Sequence, residues 1–463
     1  MSHGVAAYDR YLAENRGIHL QELFAFLRIP SVSALSQHRA DVRRAAEFLA
    51  DQMKRVGLTR AEVVPTAGHP LVYGEWLGRP GVPTVLVYGH YDVQPADPLE
   101  LWESPPFEPQ VRGGQLYARG SSDDKGPVFM HLKAVEALLA VGGTLPLNFK
   151  FLIEGEEEVG GEHLDDFIRH NHDLLKADAL VISDTPMFAR GIPALCTGLR
   201  GLAVLEARVK GPATDLHSGL YGGAVQNPIH ALAELLAGLH RPDGSVAVEG
   251  FYQKVKPATE AERASFASLP FDEGEFLVEA GAPALFGEAG YSTLERLWVR
   301  PTLEVNGIGG GFQGEGPKTI IPSEAFAKIT CRLVPGQDPD EITALVEQHL
   351  RQVCPPGVSL EVRRLQGGKP SLVAPDHPAV AAAAQALEEG FGVKPAYIRM
   401  GGSIPVVETF QEELRLPVVL LGFSLPDEKF HAPNEHFDLA NFDAGIRTLC
   451  RYWQELSAWT PAK

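Results

Sequence analysis

The first part of the chain alternates between two patterns of apolar residues. Residues 41–56 repeat apolar side chains at helical spacing, and Gly126-Pro127 opens a second such helix, since proline is tolerated at the first helical position. Short runs rich in valine, leucine, isoleucine or phenylalanine occupy residues 83–89, 147–153 and 178–183. Strands that alternate with helices predict an α/β domain with a mainly parallel sheet flanked by helices.

A different pattern begins near residue 200. Residues 202–210 and 325–334 alternate apolar with polar residues, as in strands that expose one face to solvent. Helices are predicted at residues 227–239 and 338–352, and a further strand at residues 359–365. This order of elements favours a small α+β domain that is separate from the first sheet.

The helix and strand pattern of the first part resumes after this region. Residues 376–389 predict a helix, residues 417–422 predict an apolar strand, and a last helix follows. We therefore expect one α/β domain, formed by residues 1–198 and 373–463, that is interrupted by an α+β domain inserted at residues 199–372.

The composition is that of a globular protein with an excess of acidic residues. The 463 residues include 41 lysines and arginines against 59 aspartates and glutamates, a formal net charge of −18, and 44% are hydrophobic. The negative charge argues against nucleic acid or anionic lipid as the main partner, because phosphates attract basic surfaces. No stretch approaches the roughly 18 consecutive apolar residues of a membrane-spanning helix, so we expect no membrane span.

The spacing of the cysteines and the sequence of the N-terminus indicate the cellular compartment of the protein. Cys196, Cys331, Cys354 and Cys450 are widely spaced and form no C-x-x-C pair, so reduced thiols are expected. The first residues lack the apolar core of a signal peptide. Both features predict a cytoplasmic protein.

Acidic and histidine residues cluster where predicted strands of the α/β domain end or a helix begins. These residues are His90 and Asp92, Asp123 and Asp124, the glutamates of Glu154-Gly-Glu-Glu-Glu158, Asp184 and His431. Because ligands of open α/β sheets gather at the carboxyl ends of the strands, we expect these side chains to lie together. Two histidines with at least three carboxylates form a donor set that suits Zn²⁺ or, as a second choice, Mn²⁺.

Taken one at a time, these features have simpler explanations. A lone H-x-D is as often a solvated turn, two acids at a helix N-terminus complement the helix dipole, and consecutive glutamates usually form a solvated face. Their arrangement along one predicted sheet favours a metal site over these three simpler explanations. Adjacent glutamates after a strand would allow one to coordinate a metal ion and the other to move a proton.

The motifs that carry this chemistry occur in a specific order along the chain. In the α/β domain they are His90-Tyr-Asp-Val-Gln-Pro95, Gly120–Pro127, Glu154–Glu158, Ile182-Ser-Asp184 and the late His431. Further motifs are Asp215–Gly223, Arg332–Pro335 and Gly401–Pro405. Together they resemble the M20 metallopeptidases, and most of all the branch of the carnosinases and cytosolic nonspecific dipeptidases. The resemblance implies a di-metal catalytic domain with an inserted lid and dimerisation domain.

The resemblance also implies a set of metal ligands. Asp123 would bridge two metal ions, with His90 and Asp184 completing one metal site and Glu158 and His431 the other. Two divalent ions per chain are expected, with Zn²⁺ preferred and Mn²⁺ or Co²⁺ as alternatives.

The same resemblance implies the catalytic roles. Glu157 would be the general base, and Asp92 would orient the His90 imidazole through its other ring nitrogen. His217 would stabilise the tetrahedral oxyanion from the lid of the partner subunit, which implies a homodimer formed through the lid domain. Asp at position 184, rather than Glu, resembles the dipeptidase and aminopeptidase members more than the deacylases or the glutamate carboxypeptidases.

Five residues are expected to hold the substrate, namely Arg332, Gly402, Ser403, Asn306 and Thr319. Arginine suits a carboxylate because its guanidinium binds both oxygens, and a glycine-containing loop offers backbone N–H groups. Arg332 and residues 401–403 are therefore candidates for binding the C-terminal carboxylate of the substrate, and Arg200 lies at the expected hinge.

Several other polar residues receive no role in this scheme. Asp124 has no ligand role in the motif, and the charge of Glu156 is unexplained. Five further histidines are expected on helix surfaces, namely His131, His170, His172, His230 and His240.

We therefore predict a metallopeptidase that cleaves dipeptides or short peptides, with a metal-activated water as the nucleophile. An N-acyl amino-acid deacylase on the same scaffold is the first alternative, and a non-catalytic metal-binding protein is the second. The presence of five ligands together with a general base speaks against the second alternative, because a protein without activity has no need of both.

Overall fold

The computed structural model describes residues 2–402 and 404–461, which form two compact units. The first unit comprises the residues up to Thr197, Val373–Ile398 and the residues from Thr409 onward. The second unit comprises Gly198–Leu372 and Arg399–Glu408. The first unit is thus built from three chain segments, which alternate along the sequence with the two segments of the second unit.

Helices and strands alternate through most of the chain. The helices are α1 (Ser2–Leu27), α2 (Arg39–Arg55), α3 (Lys125–Gly142), α4 (Glu162–His170), α5 (His172–Leu175), α6 (Ser218–Tyr221), α7 (Pro228–Ala237), α8 (Glu260–Ala267), α9 (Glu273–Ala280), α10 (Thr293–Trp298), α11 (Pro339–Val353), α12 (Pro378–Phe391), α13 (Pro405–Thr409) and α14 (Leu439–Leu456). The strands are β1 (Arg60–Val64), β2 (Leu71–Trp76), β3 (Thr84–His90), β4 (Gln110–Arg112), β5 (Gln115–Tyr117), β6 (Asn148–Glu154), β7 (Ala179–Ile182), β8 (Ala194–Leu199), β9 (Gly201–Lys210), β10 (Leu216–His217), β11 (Thr302–Gly310), β12 (Ile320–Ile321), β13 (Glu324–Leu333), β14 (Ser359–Gly368), β15 (Ser371–Leu372), β16 (Ala396–Met400), β17 (Val418–Gly422) and β18 (His436–Asp438). Among the described residues, no helix combines the length and the apolarity needed to cross a bilayer.

The sheet of the first unit runs in the order β1-β2-β6-β3-β7-β17-β8. Its four central strands, β6, β3, β7 and β17, are parallel, whereas the outer pairs are antiparallel. Every residue of β6, β7 and β17 is buried, as expected for strands with both faces covered. The predicted α/β class is confirmed, and the parallel part of the sheet is its centre.

The central strands end at the same edge of this sheet. His90, the last residue of β3, pairs with Glu154, the last residue of β6, and Tyr88 of β3 pairs with Ile182 at the end of β7. Residues that directly follow these strands therefore lie side by side, at the edge where open α/β sheets bind ligands.

The second unit is built around a four-stranded antiparallel sheet in the order β11-β13-β9-β14. Residues of β9 and β13 alternate between buried and more exposed positions, in keeping with the alternation in their sequences. The buried face packs against α7 and α11 in a common hydrophobic core. A short separate pairing joins Leu216 to Ile321 and His217 to Ile320.

His131, expected on a helix surface, is buried instead. It lies on α3 with only 1% of its surface exposed, its Nε2 is 2.8 Å from Ser183 Oγ, and its ring centre is 5.8 Å from that of Trp453. The prediction was wrong because α3 is buried at every position from Lys125 to Val135, so a polar residue there does not mark a solvent face. The other four histidines are exposed. His170, His172 and His230 lie on helices as predicted, whereas His240 lies outside the helices, in an isolated β-bridge with Val246.

Burial makes His131 a source of acid sensitivity. It lowers the pKa of His131 from 6.5 to about 3, so the ring stays neutral in the folded protein while the unfolded chain takes up a proton. The contribution to stability is fully present above pH 6.5 and is lost as the pH falls toward 3. We expect His131 to reduce the free energy of unfolding by up to about 1.4 kcal/mol per pH unit in this range.

His131→Gln should therefore lose stability less steeply than the wild type in denaturant unfolding between neutral pH and about pH 4.5. His170→Gln is the matched control, because His170 is exposed on α4, and it should keep the wild-type slope. An unchanged slope in His131→Gln would contradict the assignment.

Candidate metal centre

Six acidic or histidine side chains gather at the carboxyl edge of the central strands in the first unit. They are His90, Asp123, Glu157, Glu158, Asp184 and His431. Three of the segments that carry them end or follow β3, β6 and β7, a fourth leads into α3, and the fifth is the loop between β17 and β18. The fold thereby brings together residues from distant parts of the sequence.

Five of these side chains form two groups that share Asp123. Asp123 Oδ1 lies 3.0 Å from His90 Nε2, which is 3.9 Å from Asp184 Oδ2. Asp123 Oδ2 lies 2.9 Å from His431 Nε2, which is 3.2 Å from Glu158 Oε2. Within each group the candidate ligand atoms all lie within 4.8 Å of one another. Asp123 therefore faces one group with each of its carboxylate oxygens.

These residues fit divalent cations. His90 is fully buried, and its Nε2 has no hydrogen-bond partner among the described residues, although Asp123 Oδ1 is close. A buried nitrogen and a carboxylate that approach each other without a hydrogen bond are arranged as two ligands of a common ion would be. Imidazole nitrogens and carboxylate oxygens are also the donors that Zn²⁺ and Mn²⁺ accept.

The crowding of acids in this region shifts their pKa values. Burial and the nearby charge of Asp123 raise the pKa of Asp184 to about 7. Burial also opposes the ionisation of Asp123, but its close contacts with His431 and His90, and the positive charge that these rings carry when protonated, outweigh burial and lower the pKa of Asp123. Contacts with Asp123 and Glu158 raise the pKa of His431 to about 10. A divalent cation relieves repulsion between carboxylates that are held this close.

Glu157 lies beside the two groups without belonging to either. Burial raises the pKa of Glu157 well above that of an ordinary glutamate, with His90 opposing the shift and Asp184 and Glu158 adding to it. A carboxylate with a raised pKa is better matched to accept a proton near neutral pH. Glu157 is thus suited to proton transfer, whereas the adjacent Glu158 stands in a ligand position.

Asp92 is fully buried and holds the backbone of both glutamates. Its Oδ1 accepts the Glu157 N–H at 3.3 Å, and its Oδ2 accepts the Glu158 N–H at 3.1 Å. His90 Nδ1 lies 3.1 Å from the backbone carbonyl of Asp92 and 3.5 Å from its carboxylate. The backbone carbonyl of Asp92 is therefore closer to the imidazole than its carboxylate is. The carboxylate also holds the backbone of Glu157 and Glu158, which the sequence did not predict.

Two further contacts were not predicted. Gln94 Nε2 donates to Glu158 Oε2 at 2.7 Å and so orients this candidate ligand. Glu156 Oε2 lies 2.7 Å from His163 Nδ1, which accounts for the charge at position 156. Gln94 stands in the motif that begins at His90, so its position was visible in the sequence, but its contact with a residue 64 positions away was not.

The second unit contains the expected substrate residues. Arg332 is half-buried, and burial lowers the pKa of its guanidinium. Burial and the charge of Arg332 lower the pKa of the neighbouring Arg200 to about 10, and Arg200 donates its backbone N–H to the Gly402 carbonyl at 3.2 Å. Two crowded arginines beside a glycine loop form a cationic cluster that a carboxylate would neutralise. Ser403 lies outside the described residues.

Asn306, Thr319 and His217 are exposed residues of the same unit. Asn306 Oδ1 accepts a hydrogen bond from a threonine of β13 at 2.7 Å, and the Thr319 carbonyl accepts the Ser218 N–H at 3.0 Å. His217 Nδ1 accepts the Gly219 N–H at 3.0 Å, which orients the ring. The roles of these residues at a substrate stay predictions.

Comparisons with known proteins cover nearly the whole chain. The model of the family described as peptidase family M20/M25/M40 matches residues 86–455. The Cys-Gly metallodipeptidase dug1 of Schizosaccharomyces pombe is 34% identical over 449 residues, which are 94% of this chain and 94% of the relative. The Beta-Ala-His dipeptidase of Homo sapiens is 32% identical over 442 residues, which are 92% of this chain and 87% of the relative.

A solved structure resembles the fold over its full length. The dipeptidase Dug1p from Saccharomyces cerevisiae matches with a TM-score of 0.85 and 31% identity, over 99% of this chain and 99% of the other. The likeness first drawn from short motifs therefore extends to the whole chain and to its fold.

Proposed function

Because the chain belongs to peptidase family M20/M25/M40, we propose that it hydrolyses the peptide bond of dipeptides or short peptides with two divalent metal ions. The predicted membership of the M20 metallopeptidases is confirmed, and the relatives compared include a Cys-Gly metallodipeptidase and a Beta-Ala-His dipeptidase. The observation that carries the proposal is the position of Asp123, which faces a different group of candidate ligands with each carboxylate oxygen.

We assign three ligands to each ion. His90 and Asp184 would hold one ion and Glu158 and His431 the other, with Asp123 as the bridge. Zn²⁺ is preferred because it binds imidazole and carboxylate ligands with an open position for a reactant, and Mn²⁺ or Co²⁺ accept the same donors. When bound, the two ions would polarise the scissile carbonyl and lower the pKa of a water molecule toward neutrality.

Glu157 supplies the proton transfers that the reaction needs. Its carboxylate takes a proton from the attacking water and later delivers it to the departing amine. The burial that raises the pKa of Glu157 brings its proton affinity closer to what both steps require. Asp92 keeps this carboxylate in place, because it accepts the backbone N–H groups of Glu157 and Glu158.

The proposal includes a homodimer in which His217 stabilises the oxyanion that forms in the partner subunit. A donor aimed at a developing negative charge contributes about 3 kcal/mol to the stability of the transition state. The support in this chain is the exposure of the loop that carries His217, where Leu220 and Tyr221 are 77% and 44% exposed. Apolar side chains exposed in this way are stabilised when a second surface covers them.

Arg332 and residues 401–403 would bind the C-terminal carboxylate of the substrate, with Asn306 and Thr319 beside them. The support is the half-buried Arg332 beside Arg200, since neighbouring guanidinium groups attract a carboxylate and can bind both of its oxygens. The arginine recognises both oxygens of the carboxylate, so the proposal favours substrates with a free C-terminus.

We also place the enzyme in the cytoplasm. None of the four cysteines, all within the described residues, forms a disulfide, and three of them are buried. Thiols persist in a reducing compartment, whereas oxidising compartments favour disulfides.

The dependence of activity on metal ions and on the type of substrate tests the proposed function. Protein stripped by a chelator should lose activity and regain it with Zn²⁺, Mn²⁺ or Co²⁺ at about two ions per chain, because the ions activate the nucleophile. The assay should use a panel of dipeptides with free amines beside their N-acetylated counterparts, and we expect cleavage of the free-amine set. Full activity of the metal-free protein would exclude the proposal, and cleavage of the N-acetylated set alone would indicate the deacylase instead.

Glu157→Gln tests the general base. Turnover should fall by about 10²- to 10⁴-fold, because the proton acceptor is lost, while metal content measured by elemental analysis stays at the wild-type level. Glu156→Gln is the matched control, since Glu156 pairs with His163 and should not be needed for turnover. Wild-type turnover in Glu157→Gln would show that another group accepts the proton.

Co-expression of His217→Ala and Glu157→Gln tests the shared site. Each variant alone should be nearly inactive, but a mixed dimer would contain one site with both residues intact. Random pairing should restore about a quarter of wild-type activity, measured against the single variants at equal dimer concentration. A mixture no more active than its components would rule out catalysis by His217 across a dimer.

A further inference from the structure

Glu435, in the loop between β17 and β18, is a fully buried carboxylate to which no role has been assigned. Its Oε2 accepts from Arg119 Nη1 at 2.7 Å and from the Gly120 N–H at 2.9 Å. Its Oε1 accepts from the Ser122 N–H at 3.0 Å and from the Asp123 N–H at 3.1 Å. All four donors belong to the segment that carries the candidate bridging residue Asp123.

The segment is shaped to wrap around this carboxylate. Gly120 has a φ of +82°, a left-handed conformation that glycine adopts at no steric cost, and the turn directs several N–H groups inward. A Cβ at Gly120 would lie 2.6 Å from Val93 Cγ1, so the turn leaves no room for a side chain. Converging N–H groups of this kind bind anions, and here the anion is the side chain of Glu435.

The same contacts extend to the loop that carries His431. Arg119 Nη2 donates to the carbonyl of Ala432, the residue after His431, at 3.3 Å. One buried guanidinium thus contacts Glu435 through one nitrogen and the His431 loop through another. The two chain segments that supply Asp123 and His431 are joined through this pair.

The His431 loop needs such support because its backbone is strained. Lys429, His431 and Asn434 have φ values of 59°, 60° and 64°, in a region that residues with a side chain rarely adopt. Such conformations persist where the surrounding structure holds them. The Asn434 side chain supplies one restraint, since it accepts the Glu103 N–H at 2.8 Å and donates to the Leu101 carbonyl at 2.8 Å.

We propose that Glu435 is a positioning residue that fixes the bridging carboxylate Asp123 relative to His431 and so sets the affinity of the centre for its metal ions. The inference rests on the proposed two-metal function. Glu435 acts through the backbone of the Asp123 segment, in the way that groups behind metal ligands hold those ligands in place.

A purely structural role for Glu435 predicts something different. The buried pair of Arg119 and Glu435 stabilises the fold in any case, and removing one partner of such a pair is destabilising. A residue that served stability alone would change the unfolding transition and leave the metal affinity of the folded protein unchanged. Metal affinity and stability must therefore be measured separately.

Two substitutions separate these roles in the full-length enzyme. Glu435→Gln replaces one acceptor oxygen by an NH₂ group, which faces two N–H donors whichever way the amide is turned. Glu435→Asp keeps a negative charge near Arg119 but moves the carboxylate away from the N–H donors, because its side chain is shorter by one methylene. This variant replaces Glu435→Gln in the experiment if Glu435→Gln does not fold. Glu136→Gln is the matched control in the same unit, because Glu136 accepts hydrogen bonds from Tyr11 at 2.9 Å and Lys133 at 2.6 Å.

Zn²⁺ affinity, measured by competition with a chromophoric chelator, should fall by about 10- to 100-fold in the Glu435 variants, and excess Zn²⁺ should restore most of their turnover. Glu136→Gln should bind Zn²⁺ as the wild type does, even where its thermal unfolding midpoint in the metal-free state is lowered to the same extent. Wild-type affinity in a folded Glu435 variant would overturn the inference, as would an equal loss of affinity in Glu136→Gln. Wild-type protein that binds no metal would instead overturn the proposed function.

Discussion

Repulsion between buried carboxylates around Asp123 is the constraint on which the rest of the structure depends. Burial and neighbouring charge raise the pKa of Asp184, and burial raises the pKa of Glu157. Acids would move apart if nothing held them, so each is attached to a rigid support. The ends of β3, β6 and β7 provide part of that support. The Asp92 carboxylate, which accepts the Glu157 N–H, and Gln94, which donates to Glu158, provide more. Folding thus orders the candidate ligands in advance, and under the proposed function a divalent cation would bind without the entropy cost of ordering them.

The sequence predicted the central strands more readily than the outer ones, for a physical reason. Strands buried on both faces consist of continuous apolar runs, and β3, β6, β7 and β17 were all recognised in that way. The outer strand β1 has no buried residue, so its sequence shows no such run. The glycine-rich β11 gave no strand pattern either, yet it is a strand because β13 supplies its hydrogen-bond partners. Both segments are strands because of the neighbouring strands with which they pair, and the local sequence pattern carries no information about that pairing.

The sequence likewise predicted some features of the candidate site and not others. Residue types and their positions after strands predicted that these acids and histidines lie together, because parallel strands end at the same edge, and the structure confirms the cluster. Their individual roles as metal ligands or as the base came from the motif resemblance and stay predictions. The contacts of Asp92, Gln94 and Glu435 with distant backbone or side-chain groups were not predictable, since they depend on how separate segments meet in three dimensions. His131 shows the same limit, because a polar residue on a helix was taken for a surface residue although the helix is buried on nearly every side. Burial of a whole helix is a property of the assembled fold.

The position of β17 has a consequence for the synthesis of the protein. Val418 pairs with Leu180, so the strand that lies between β7 and β8 in the sheet is translated long after both of them. Until it leaves the ribosome, β7 and β8 each present an unpaired edge, which is a state prone to aggregation. His431 is translated after β17. The candidate ligand group that contains His431 therefore stays incomplete until almost the whole chain has been made. The proposed two-metal centre can therefore be completed only after the last strand of the central sheet has been made.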